Sequence, residues 1–204
     1  MQPKSFERFA GLLAILAGVS GFLYAVAFII LRQQVLYSLF LTLLGFFATA
    51  ALVGVYNRLK ETDAAFALWA LLLGLIGAAG TAIHGGFDLA YALNPPPTST
   101  SSVLAPLPSE IDPRGLLTFG FAGIALFVVA WLIGRSGKFP KGLAYLAYLS
   151  AFLFIVIYLE TLVLGPAIAT NLANPIVIGP ILLNGFIASP VWYLWLGIVL
   201  WRGK

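Results

Sequence analysis

The sequence predicts an all-α fold, a polytopic transmembrane bundle of six helices with both termini cytoplasmic. Three observations carry that expectation. Of 204 residues, 61% are hydrophobic and only 9% charged, whereas a soluble domain holds roughly 25% charge and 45–50% apolar residues. The apolar residues fall in six runs, each able to cross a hydrocarbon core about 30 Å thick, which takes roughly 20 helical residues. No run shows the alternating polarity of a membrane β-strand. The same composition excludes disorder, because chains that stay unfolded are poor in apolar residues and rich in net charge.

The first span, 9–31, follows Lys4 and Arg8, and Ala25-Val26-Ala27 resembles a signal cleavage site. Apolar residues nevertheless continue through Leu31, past the 7–15 residues of a signal's apolar region, so a retained helix is expected. Its pairs Ala14 and Gly18, and Ala17 and Gly21, form a stripe suited to close packing within the chain or against a second copy. The second span is 35–56. In the third, 64–92, Gly74, Gly77, Ala78, Ala79, Gly80, Thr81 and Ala82 remove bulk on nearly every face, and the helix is expected to be surrounded by protein.

Residues 94–113 form a Pro/Ser/Thr-rich extracytoplasmic loop containing Pro95-Pro96-Pro97. Its prolines favour an extended path over the outer surface, as a passive linker or a lid. Spans 115–133 and 142–164 follow. The last, 176–201, contains Pro180 and Pro190 with Asn184 and Ser189 between them. Kinked helices bearing polar residues recur at transporter sites, although neighbouring helices also satisfy carbonyls freed by proline. Short connections elsewhere make 1–204 a single domain.

Orientation follows from the basic residues. Lys4, Arg8, Arg58, Lys60, Arg135, Lys138, Lys141, Arg202 and Lys204 fall on one side of the predicted spans, and only Arg32 and Arg114 on the other. Short loops rich in Lys and Arg stay in the cytoplasm, so both termini are expected inside, in a cytoplasmic membrane. Topology accounts for these charges, and no nucleic-acid partner is expected. The absence of cysteine excludes disulfides, thiolate nucleophiles and sulfur-ligated metals.

Ionisable groups inside spans cost about 2.5–3.5 kcal/mol at a helix centre and are functional candidates by default. His84, Asp88 and Glu160 are the ones here. His84 and Asp88 are four apart, on one helical face. By a rise of 1.5 Å per residue, His84 and Glu160 share a level about 27–30 Å from the cytoplasmic end. Tyr24, Arg114, Thr118, Tyr158, Thr161 and Asn184 should join them, giving an outward-facing polar site above a tightly packed inner half.

Several readings of that site compete. The first is a non-enzymatic protein that binds a small or lipidic ligand, or a partner, at this outward-facing site. The second is a small proton-coupled transporter in which Glu160 or Asp88 titrates. The third is an intramembrane enzyme using His84 with a carboxylate, although no nucleophile elbow, His-Glu-x-x-His or phosphate-binding loop accompanies it. A metal on His84, Asp88 and Glu160 would lack the histidine or cysteine that zinc and iron sites normally use, so neither metal nor cofactor is predicted. Against all of these stands a purely structural cluster. Gly85-Gly86 would break the third helix, Asp88 would be solvated or paired with Arg114, and Glu160 would be met by Arg32, Arg114, His84 or a hydroxyl. Trp192 and Trp195 face either an apolar pocket or lipid.

The opening run Ala10-Gly11-Leu12-Leu13-Ala14-Ile15-Leu16-Ala17-Gly18 and the run His84-Gly85-Gly86-Phe87-Asp88-Leu89-Ala90 resemble segments of uncharacterised bacterial six-helix membrane proteins grouped as domains of unknown function. The resemblance covers the general layout and these two segments. It implies a bacterial cytoplasmic membrane and assigns no activity to any residue.

Overall fold

A computed structural model describes residues 5–95, 111–164 and 175–203. Within them, six helices are long and apolar enough to cross a membrane: α1 Ser5–Leu31, α2 Gln34–Leu59, α3 Ala64–Leu93, α4 Leu116–Ser136, α5 Lys141–Leu164 and α6 Pro175–Arg202. Each covers its predicted span to within a few residues. Most of the expected 94–113 loop lies outside the described residues.

The helices form a ring in chain order, each packed on its sequence neighbours, and α6 closes the ring against α1. Both described termini lie at one end, here the proximal end; the other is the distal end. Small residues close the ring, because in hydrocarbon the packing of helices depends on how nearly their backbones approach. A Cβ at Gly45 of α2 would lie 2.4 Å from the Ala82 amide nitrogen of α3, and one at Gly85 of α3 would lie 2.5 Å from the Thr42 nitrogen of α2. At the α1/α6 seam, Cβ atoms at Gly11 and Gly197 would meet the opposite backbone at 2.7 and 2.6 Å. Gly77 and Gly80 admit Ala122 and Leu117 of α4 in the same way.

α3 is therefore not central. Its small residues serve two seams and the interior, while Leu72, Ile76 and Ile83 stay exposed on its outer face. Such residues populate the outside of every helix; Phe46, Phe152, Val163 and Ile176 are each more than 60% exposed, as a surface facing lipid requires. Nor does Gly85-Gly86 break α3, which runs on to Leu93. Gly85 is one of the two points where α2 and α3 press closely together, and Gly86 faces open space.

The proximal half is a packed core. Leu59, Leu132, Ile133, Leu143, Leu196 and Leu200 are fully buried there. Its rim is polar: Arg58 of α2 pairs with Glu7 of α1 and donates to the Val199 carbonyl of α6 at 3.2 Å. Lys138 pairs with Glu61, and Asp63 caps α3 by accepting the Phe66 amide at 3.1 Å.

The distal half is irregular. Three π-helical stretches occur there, Val26–Leu31 in α1, Leu116–Phe121 in α4 and Asn184–Ala188 in α6. In α6 the cause is local: Pro190 has no amide proton to continue the α-ladder, and the preceding Ser189 amide reaches back five residues to the Asn184 carbonyl. Arg32 ends α1 in the left-handed region at φ 53°.

If these seams hold the ring, Gly45→Ala should lower unfolding free energy in mixed micelles by about 1–3 kcal/mol, the usual cost of overpacking. Gly86→Ala should stay within about 0.5 kcal/mol of the wild type. Equal effects from both would contradict a seam at Gly45.

Candidate functional site: an interior chamber and a buried polar chain

The ring encloses a chamber of about 150 Å³ lined by residues of all six helices. It exists because inward positions hold small residues, among them Gly21, Ala48, Gly74, Gly77, Ala78, Ala122 and Ala125. Side chains of this size let the backbones meet at the seams and leave the axis unfilled. Each π-helical stretch contributes to the wall, through Phe28 and Ile29, Thr118 and Phe119, and Asn184 and Gly185. Stretches of this geometry recur at functional sites.

The wall is graded. Towards the distal end it carries Tyr24, Thr81, Thr118, Thr161 and Asn184; towards the middle it is mostly Ala48, Leu52, Gly74, Ala125 and Leu126, joined from α6 by Ser189, Trp192 and Tyr193. Among the described residues, no acidic, basic or histidine side chain lines it. Thr81 and Thr161 donate to their own helices, at 2.8 Å to the Gly77 and Ile157 carbonyls, which leaves their oxygens as acceptors. Asn184 is 4% exposed, and its carboxamide oxygen has no partner among the described residues. Trp192, 2% exposed, also lines the chamber with its indole N–H unpaired, so of the two fates foreseen for it the pocket is the one realised. Tyr24 stacks on Phe28 at 5.8 Å, and both meet the Tyr37 ring edge-on.

Behind Thr118 lies a buried polar chain. Asp112, 1% exposed, accepts the Leu117 and Thr118 amides at 2.9 and 2.8 Å and so caps the start of α4. The Thr118 hydroxyl shares a 3.3 Å hydrogen bond with His84 Nδ1. His84 Nε2 is 3.2 Å from Asp88 Oδ2, within ion-pair distance but outside hydrogen-bonding geometry. Both side chains are almost wholly buried. Thr118 is the member of this chain that also lines the chamber.

The residues expected from the sequence to form a single polar site are thus divided between two groupings, with three outside both. Tyr24, Thr161 and Asn184 belong to the chamber wall, and His84 and Asp88 pair behind it. Glu160, Tyr158 and Arg114 lie elsewhere. Tyr158 packs on Gly120. Arg114 meets neither Asp88 nor Glu160; its guanidinium donates to the Thr161 and Leu162 carbonyls at 3.3 Å and ties the end of α5 to the start of α4. Glu160 is half-buried and, among the described residues, forms no ion pair with Arg32, Arg114 or His84. Among these residues no three acidic or histidine side chains converge as metal ligands, so the set His84, Asp88 and Glu160 is not assembled. His84 and Asp88 pair on α3, whereas Glu160 belongs to α5. In the sequence, Asp112 falls within the 94–113 loop. The signal that could have found it is its position five and six residues before the two amides it caps.

Comparison with protein-family models, curated proteins and solved structures yields no match. The fold and the chamber define a class, a multi-pass helical bundle built around an interior cavity, and the function must be argued from the site itself.

A double-mutant cycle on His84→Phe and Asp88→Asn, read by unfolding in mixed micelles, should give an interaction energy of about 0.5–3 kcal/mol, as contacting buried groups do. Strict additivity would show that the two merely lie side by side.

Proposed function

We propose that this is a non-enzymatic integral membrane protein that holds a small or lipidic ligand in the chamber, with both termini on the cytoplasmic side. One observation carries the reading: a largely apolar cavity, lined by every helix, rests on a fully packed proximal core. Burial of apolar surface drives such binding, and a pocket between helices is a common place for it. The proximal end gathers Arg58, Lys60, Arg135, Lys138, Lys141 and Arg202, which supports its assignment to the cytoplasm. Against catalysis at the chamber, both His84 nitrogens are turned to Thr118 and Asp88, and the imidazole does not line the wall.

Native mass spectrometry of protein released from lipid nanodiscs should show a retained low-mass ligand or lipid on the wild type. Ala125→Phe and Ala48→Phe, which fill the chamber, should lose it. Identical spectra for all three would remove the chamber from the function.

A second reading, a proton-coupled carrier, rests on Thr118, which bridges the chamber and the His84–Asp88 pair. Asp88, not Glu160, is then the titrating carboxylate. Liposomes should show substrate-independent proton leak or uptake that Asp88→Asn abolishes and Glu160→Gln leaves intact; flux indifferent to Asp88→Asn would end that mechanism.

A further inference from the structure

The chamber's wall specifies its ligand more closely than apolar character alone. We infer that the ligand is an uncharged, single-headed amphiphile, lying along the bundle axis with a hydroxyl or carbonyl head at Asn184 and its apolar tail towards the packed core. This rests on the chamber reading above and deepens it.

Three observations carry the inference. First is charge. Among the described residues, the wall has no charged side chain to pair with an anion or cation, and a charge moved into such surroundings is strongly disfavoured unless it is paired. The proximal cations are beyond the packed core, the Arg114 guanidinium at the distal end is taken up by the Thr161 and Leu162 carbonyls, and the carboxylates of Asp88 and Asp112 are engaged behind the wall. A charged head therefore has no counterpart within the cavity.

Second is the placement of polarity. Asn184 lies at the distal part of the chamber, on the level where Gly185 packs against Ala25. Its carboxamide carries both a donor and an acceptor, and its oxygen is buried without a partner. A polar group left buried and unpaired costs about 1–3 kcal/mol, so a ligand head that pairs with it relieves a standing penalty. Thr81, Thr118 and Thr161 offer acceptors around the same end, their own protons being committed or shared. A hydroxyl head, at once donor and acceptor, suits this set best.

Third is shape. The lining residues of α2 run from Leu41 to Leu52, about 16 Å along the axis at 1.5 Å per residue. A cavity lined over that length is elongated. It suits an alkyl or isoprenoid chain better than a compact polycycle, and the residues at its inner end, Leu52, Gly74, Ala125 and Leu126, are those a tail would touch.

The test uses the full chain in phosphatidylcholine nanodiscs and two photoreactive probes. One is a long-chain alcohol bearing a diazirine near its tail; the other is the carboxylate of the same chain, applied at alkaline pH so that it is ionised. Crosslinked residues are mapped by peptide mass spectrometry. The alcohol should label chamber residues saturably, at least about tenfold more efficiently than the carboxylate, a difference of about 1.4 kcal/mol. Unlabelled alcohol should compete with it. Asn184→Leu should cut labelling at the chamber about fivefold or more, a loss of about 1 kcal/mol, with labelling of the lipid-facing Phe46 and Phe152 unchanged. If Asn184→Leu fails to fold, the comparison of the two probes on the wild type decides alone.

Equal chamber labelling by both probes overturns the uncharged head while leaving a ligand-holding chamber intact. Chamber labelling by neither, with Phe46 and Phe152 labelled, overturns the chamber reading as well. A water-soluble alcohol of the same head that competes as well as the long-chain one would place the source in solution and overturn the tail. Competition by the long-chain alcohol alone is the result expected for a membrane amphiphile.

Discussion

The structure depends on backbone approach. Lipid offers helices no hydrophobic reason to associate, so contact between their surfaces must be close enough for dispersion to compete with acyl chains. Here the contacts at Gly11, Gly45, Gly85 and Gly197 leave no room for a methyl group, and they draw together two seams of the ring, α1 on α6 and α2 on α3. A ring of six helices drawn tight at its seams by small residues has little to fill its middle. Tight seams and an open axis have one cause, since residues such as Gly77 and Ala78 face both.

The two halves of the bundle differ in how they use that ring. Proximally, the leucines of α2, α4, α5 and α6 occupy the axis, and the Glu7–Arg58 pair binds the first helix to the second and, through Val199, to the last. Distally, hydrogen bonds of a different kind hold the elements. Asp112 supplies the acceptor that the first amides of α4 lack, and Arg114 supplies donors to carbonyls at the end of α5. These two residues stand on either side of Pro113 and fix α4 to its surroundings. Backbone groups at membrane depth need such partners because water is not there to provide them.

Much of the fold was legible in the sequence because hydropathy and length set it directly. The spans, the single-sided basic residues and the weight of small residues in α3 all follow from counting. The chamber residues Tyr24, Thr161 and Asn184 were legible as polar groups within spans, but their separation from Glu160 and Arg114 was not. Position along a helix places a residue at a depth; it does not say which way round the axis the side chain points. Glu160 and Thr161 share a depth and are neighbours in sequence, yet only Thr161 faces inward. The expectation of a central α3 failed for a related reason: small residues on many faces indicate neighbours or empty space, and here part of what they border is the chamber.

The π-helical stretches explain why that rotational information is hard to recover. Each holds one residue more than the α-turn it replaces, and one residue corresponds to about 100° of rotation about the helix axis. In α1, α4 and α6 the inward-facing set therefore changes phase where the chamber begins. A helical wheel drawn in one phase through Trp192, Leu196 and Leu200 does not carry correctly to Val177 on the far side of Asn184–Ala188. Removing a single residue inside such a stretch would preserve composition, hydropathy and length almost unchanged, and would turn a whole face of the chamber wall towards lipid.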